Sequence, residues 1–223
     1  MSGIKLAIFD MAGTTVDDVI DGVPLVLKSY DDAFRSFGII IPMNVLNAQR
    51  GRDKRIVINE FGGVHADDIY EYFEKQLLAN VARLHEIKGV SELFTFLHNC
   101  SISVAVCSGF PVTITQKIVD HLRWMDHELI DFWTCSEIVG KSRPDPLMIQ
   151  SIMKHFGISE PRKVMKIDDT NKGLEAGIRA GVLTIGVLTG TQTREHLQAA
   201  QPMAILNSIM EIPAYLQVKN LLS

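Results

Sequence analysis

A chain of 223 residues, 47% of them apolar, is long enough for one domain with a substantial core or for a domain carrying an insert. Its net charge of −4, with Lys and Arg scattered along the length, leaves no basic stripe for a polyanion, so nucleic acid is not an expected partner. No apolar run approaches the roughly 18 residues that span a bilayer, and MSGIKLAIFD lacks a leader's long apolar stretch and cleavage site. Cys100, Cys107 and Cys135 are an odd number without metal-ligand spacing. The expectation is a soluble cytoplasmic protein with reduced, mostly buried thiols and no membrane partner, and a homodimer is left open.

In chain order, residues 4–9 form a short apolar run that ends at Asp10 and Ala12-Gly13-Thr14, which predicts a buried strand running into a loop. The stretch 17–88 holds no convincing strand and reads as several helices. Within it Ile69, Phe73, Leu77, Val81 and Leu84 recur at three- and four-residue steps and share one helical face. From Gly89 onward, short apolar runs at 102–107, 164–167 and 183–188 alternate with helical patterns. One such pattern carries Met148, Ile149, Ile152, Met153 and Phe156, starts after Pro144-Asp145-Pro146 and stops at Gly157. Strands alternating with helices predict an α/β fold, a doubly wound parallel sheet covered on both faces. The core comprises 1–16 and 89–223, and 17–88 is a helical insert, a cap over the strand ends that excludes water.

In such a sheet, ligands bind beyond the carboxyl ends of the strands. Asp10, Ser108-Gly109 and Asp168-Asp169-Thr170 follow apolar runs, and Arg143 lies in the loop Gly-Lys-Ser-Arg-Pro-Asp-Pro. They supply a carboxylate nucleophile, a hydroxyl donor, a fixed cation and a further carboxylate for a metal, an inventory suited to phosphoryl transfer. Asp169 and Thr170 also suit the N-cap of a helix beginning near Asn171. Cys107 is read as core packing.

DMAGTTVD at 10–17 resembles the first motif of the haloacid dehalogenase superfamily, and VCSGF at 106–110, SRPDP at 142–146 and KIDDTNKGLEAGIRAG at 166–181 resemble its second, third and fourth. The resemblance implies a Rossmann-like core with a helical cap between the first two motifs. It implies that Asp10 attacks phosphorus and becomes an aspartyl phosphate that water cleaves. It places Mg²⁺ at Asp10, the Ala12 carbonyl and Asp169, and phosphoryl oxygens at Ser108, the Gly109 amide and Arg143.

Three departures narrow the chemistry. Most phosphatases of the superfamily carry a second Asp two positions after the nucleophile as general acid; here Ala12 stands there. Asp-x-Ala-Gly-Thr resembles the phosphonatase branch, in which a cap lysine forms an imine that accepts electrons as a carbon–phosphorus bond breaks. Gly51 and Lys54 match the Met-Gly-x-x-Lys segment of that branch, with Arg50 in place of the Met and Val57 in place of a His after the lysine. Lys54 then forms an imine, its amine neutralised by burial or by Arg50, Arg52 and Arg55, or stays charged in a cationic clamp for a more anionic substrate, or is an inert surface lysine. Gly173 replaces an acidic residue often found four positions after Asp169, and Asp168 is open as its substitute. The expected function is Mg-dependent hydrolysis of a small phosphonate such as phosphonoacetaldehyde. Alternatives are a phosphomonoesterase for acyl or aryl phosphates and a catalytically weak sensor of a phosphorylated metabolite.

Overall fold

In a computed structural model describing residues 3–222, six parallel strands form one sheet: β1 (Leu6–Phe9), β2 (Ser103–Ser108), β3 (Phe132–Cys135), β4 (Val164–Asp168), β5 (Leu183–Val187) and β6 (Ala204–Leu206). Their order across the sheet is β6-β5-β4-β1-β2-β3. β1 is central, with Leu6 opposite Ser103 on one side and Val164 on the other. Its side chains alternate: Ala7 and Phe9 enter the larger apolar core, Leu6 and Ile8 a second core on the opposite face. Both faces are buried, as a parallel sheet requires.

Helices α1 (Leu25–Ser36), α2 (Met43–Ala48), α3 (Lys54–Gly62) and α4 (Ala66–Asn80) follow the first strand. The apolar spacing noted above holds, with Ile69, Phe73, Leu77, Val81 and Leu84 all buried. Tyr30 of α1 stacks on Phe73 of α4 at 4.7 Å between ring centroids. The stretch expected to lack strands contains two-residue ladders: Val16–Asp17 pairs antiparallel with His85–Glu86, and Val19–Ile20 with Val23–Pro24. Two residues are too few to leave an alternating pattern, so hydropathy alone does not reveal them.

The remaining helices are α5 (Val90–Asn99), α6 (Val112–His121), α7 (Ser136–Val139), α8 (Leu147–His155), α9 (Asn171–Ala180), α10 (Arg194–Gln198) and α11 (Ile212–Val218). Met148, Ile149, Ile152 and Met153 of α8 pack with Ala176 and Ala180 of α9 under the face that carries Leu6 and Ile8. Gly157 ends that turn with φ +66°. β3 and β6 lie at the sheet edges and were not anticipated, because a half-buried FWTC and a three-residue AIL have no distinctive period. All three cysteines are free thiols, two of them buried. Among the described residues, no helix is long and apolar enough to cross a membrane.

Candidate active site

Asp10, Ser108 and Asp168 stand at the carboxyl ends of β1, β2 and β4, three neighbouring strands, so the sheet itself brings them together. Loops complete the set. Thr15 donates its hydroxyl to the Asp10 carbonyl at 2.8 Å, and Thr14 donates to Asp169 Oδ1 at 3.0 Å, which ties the first loop to the fourth. Thr170 is the N-cap of α9, its Oγ1 accepting from the Gly173 amide at 3.1 Å. Capping therefore falls to Thr170, and Asp169 is left to face the site.

Asp168, undecided in the sequence, also faces the site. Its Oδ1 accepts from the Thr170 amide and hydroxyl at 2.9 and 2.7 Å, and its Oδ2 lies 2.7 Å from Lys166 Nζ. Lys166 is fully buried. The sequence reading missed it, although a lone lysine inside an otherwise apolar strand is a signal that a buried carboxylate awaits it. Burial works to raise the Asp168 carboxyl, but Lys166 and Arg143 outweigh it and hold the group below its ordinary range. Gly173 has a matching reason: a Cβ there would lie 1.9 Å from Asp168 Oδ2, so the space of the missing acid is already taken.

Arg143 enters from the loop before α8, with Nη2 2.6 Å from Asp10 Oδ1 and donating to the Cys107 carbonyl at 2.9 Å. Its Nη1 is 3.7 Å from Asp168 Oδ2 and is buried without a hydrogen-bond partner. Burial nonetheless pushes the Asp10 carboxyl upward against the pull of Arg143, with Asp168 adding repulsion. Ser108 Oγ accepts from the Phe110 amide at 3.0 Å, which leaves its O–H free to donate into the site.

Carboxylate oxygens of Asp10, Asp168 and Asp169 come within 4.8 Å of one another. Burial, with repulsion from Asp10 and Asp168 against the attraction of Arg50, pushes the Asp169 carboxyl up to about 8. Asp169 Oδ2 is buried with no hydrogen-bond partner. A Cβ on Gly13 or Gly190 would come within 2.4 or 1.8 Å of that oxygen, so bare backbone frames it. Several hard oxygens, mutually repelling and one of them orphaned, fit a small divalent cation. The Ala12 carbonyl accepts one long bond, 3.4 Å, from Arg50 Nη2 and keeps its second lone pair.

The helical stretch α1–α4 meets this cluster through residues 50–54. Asp10, Ala12, Val26, Arg50, Gly51, Lys54, Ser108, Gly109, Phe110, Arg143 and Thr170 line one pocket. Close approach depends on glycine. A Cβ on Gly109 would sit 2.5 Å from the Arg52 carbonyl, and one on Gly51 2.5 Å from Thr170 Oγ1. Asp53 caps α3 by accepting from the Ile56 amide at 3.0 Å, and accepts from Ser136 of the core at 2.5 Å; its own amide donates to Ser142 at 2.8 Å.

Lys54 is buried, donates to the Arg52 carbonyl at 3.0 Å and lies 5.4 Å from the Phe110 ring centroid. Burial, then Arg50 and Arg143 against Asp10 and Asp53, lowers its amine to about 8. The expected field of three arginines reduces to one. Arg52 pairs with Glu60 and Arg55 with Asp67, both turned toward solvent. All the site residues expected from the sequence thus border one pocket except Asp169, which joins it through the carboxylate cluster with Asp10 and Asp168.

A doubly wound sheet with an aspartate at the end of its central strand, a buried arginine and an acidic pair defines a phosphoryl-transfer hydrolase scaffold. The chain belongs to the haloacid dehalogenase-like hydrolases, whose family model matches residues 4–181. It is 27% identical to a phosphonoacetaldehyde hydrolase of Bordetella pertussis over 96% of this chain and 91% of the relative. Among solved structures it resembles a hydrolase from Pseudomonas syringae (TM-score 0.83, 17% identity, 96% and 98% of the two chains). It also resembles a phosphonoacetaldehyde hydrolase-like protein from Oleispira antarctica (TM-score 0.81, 19% identity, 98% and 93%). At those identities the structures speak to the fold.

Proposed function

We propose that this hydrolase cleaves the carbon–phosphorus bond of a small phosphonate such as phosphonoacetaldehyde, with Mg²⁺ as cofactor. Residues 17–88 serve as a cap over a core of 1–16 and 89–223, and exclude water from the pocket. Asp10, the Ala12 carbonyl and Asp169 would hold the metal, with Asp168 anchored beside them by Lys166. When bound, the cation neutralises phosphoryl charge and aligns it with Asp10.

The observation that carries the proposal is Lys54, a buried amine lowered to about 8 in the same pocket as Asp10 and Arg143. The neutral amine adds to the aldehyde carbon, and loss of water gives an iminium. Asp10 attacks phosphorus, the carbon–phosphorus electron pair moves into the iminium, and an enamine and an aspartyl phosphate result. The enamine carbon takes a proton from water to give an iminium again, and water then releases phosphate from Asp10 and the aldehyde from Lys54. Ser108, the Gly109 amide and Arg143 hold phosphoryl oxygens throughout. Ala12 agrees, because an enamine leaving group needs no acid at position 12. The name of the Bordetella pertussis relative points the same way.

With phosphonoacetaldehyde and Mg²⁺, borohydride should inactivate the protein irreversibly and leave a reduced adduct on Lys54 in a peptide map. Lys54→Arg should abolish both, since guanidinium stays charged. The trapping rate should rise as pH passes about 8, where the Lys54 amine loses its proton. A folded, metal-loaded protein that gives neither adduct nor cleavage would be a phosphomonoesterase for acyl or aryl phosphates instead.

A further inference from the structure

Arg50 is the cap residue that sets this pocket apart, since the resembling branch has a Met there and a second guanidinium changes which ligands the site tolerates. It lines the pocket with Lys54, yet it is only 3% exposed and its charge is engaged from behind. Nη1 donates to Asp18 Oδ2 at 3.3 Å and Nη2 to Asp18 Oδ1 at 3.2 Å, a fork-to-fork pair with a carboxylate that is itself 3% exposed. Asp18 lines a different cavity, with Gly13, Asp17 and Thr189, and is not part of the pocket that Arg50 and Lys54 line. The other cation facing the pocket from the core, Arg143, stands at the phosphoryl end beside Asp10 and Asp168. Around Lys54 the wall is made by Val26, Phe110 and the backbone of Gly51 and Gly109.

We propose that Asp18 and Arg50 form a specificity-determining pair: Asp18 occupies the charge of Arg50, so the pocket accepts phosphoryl dianions whose remaining part is uncharged and does not use Arg50 to bind a second anionic group. This rests on the pocket being a phosphoryl site, as proposed above, and not on the imine step. Two charges that satisfy each other at short range present little net field to a third group. Asp18 is thus a residue that sets substrate choice without touching substrate.

The test compares two unreactive ligands of similar length, propylphosphonate and 3-phosphonopropanoate, titrated calorimetrically into the Mg²⁺-loaded protein at one pH. Neither has an aldehyde that could form an imine with Lys54, and without the imine its carbon–phosphorus bond is not activated, so the outcome is independent of turnover. Failure of both to bind would overturn the phosphoryl-site reading and the pair's role with it. Asp18→Asn frees Arg50, and should raise the affinity for 3-phosphonopropanoate relative to propylphosphonate about tenfold or more. An unchanged ratio in folded Asp18→Asn sinks the proposal. If that variant does not fold, Asp18→Asn/Arg50→Met carries the test, because removing both halves of a buried pair leaves no unpaired charge. Its ligand ratio should match that of the unaltered protein within about threefold, and a selective tenfold loss of 3-phosphonopropanoate would show that the paired Arg50 already reads carboxylates and overturn the inference.

Discussion

Asp10, Ser108 and Asp168 each stand at the end of a parallel strand, whereas Arg50 and Lys54 stand on a turn and a helix start that reach the pocket of Asp10 and Ser108 through contacts between the helical stretch and the sheet loops. In the first region the backbone ladder fixes position, and a residue's place follows from its place in a strand. In the second, position depends on contacts distant in sequence: Gly51 against Thr170, Gly109 against the Arg52 carbonyl, Asp53 against Ser136. Under the proposed function, the strand ends would place phosphorus and residues 50–54 would decide what else the pocket accepts.

The comparison breaks most sharply at Asp10. Asp10→Asn preserves volume and removes the charge proposed to attack phosphorus, so phosphate release should fall by about 10³-fold or more while the melting curve stays cooperative. Substantial turnover by that folded variant would take the nucleophile away from the strand end.

Metal-free stability tests the acidic side of the core. The Asp169 carboxyl is held at about 8 against an ordinary 3.8, so the folded state binds the extra proton across that interval. Stability should then fall as pH rises from 5 to 8, the direction set by a folded state that holds more protons than the unfolded one. The loss of Asp168 pairing belongs to lower pH, because its carboxyl is shifted downward, and does not oppose this trend. Mg²⁺ should restore the melting temperature more at pH 8 than at pH 5, and Asp169→Asn should flatten both effects. A metal-free melting temperature that rises between pH 5 and 8 would contradict the buried, uncompensated carboxylate.

On the cap side the expected effects are smaller. Asp53→Ala removes the α3 cap and the acceptor for Ser136, and should cost about 1–2 kcal/mol in urea denaturation. Because Lys54 opens the same helix, the variant should also slow imine trapping, and normal trapping would show that the cap holds Lys54 by other contacts. Glu60→Gln loses only a half-exposed pair with Arg52, so stability should change by no more than about 1 kcal/mol and Lys54 trapping not at all.

The difference between the regions also explains what the sequence made legible. The placement of Asp10, Ser108 and Asp169 was readable because short apolar runs announce strands and ligands bind beyond strand ends, and that of Arg143 by its motif in the loop before α8. Lys54 was readable by motif, but its burial and the division of labour among Arg50, Arg52 and Arg55 were not, since those depend on which acids the fold brings near. Asp18 carried no signal, because its partner lies 32 residues away in the sequence and no periodicity links them. Lys166 did carry one and was passed over. β3 and β6 were hidden by brevity and by edge positions.

The carboxylate of Asp168 and the bare Cα of Gly173 have a consequence for the order in which substitutions can accumulate. A side chain at position 173 collides with Asp168 as it now stands, bonded to Thr170 and paired with Lys166. Gly173→Asp alone would force two acids into one space, and losing Asp168 alone would strand the buried Lys166 without its partner. Moving the acid from the strand end to the helix therefore requires changes at 166, 168 and 173 together, and no single step along that route is free of a buried conflict. The present arrangement is entrenched: a mutational path from one acidic pattern to the other has to cross a poorly folding intermediate, which keeps this loop distinct even where the surrounding fold is shared.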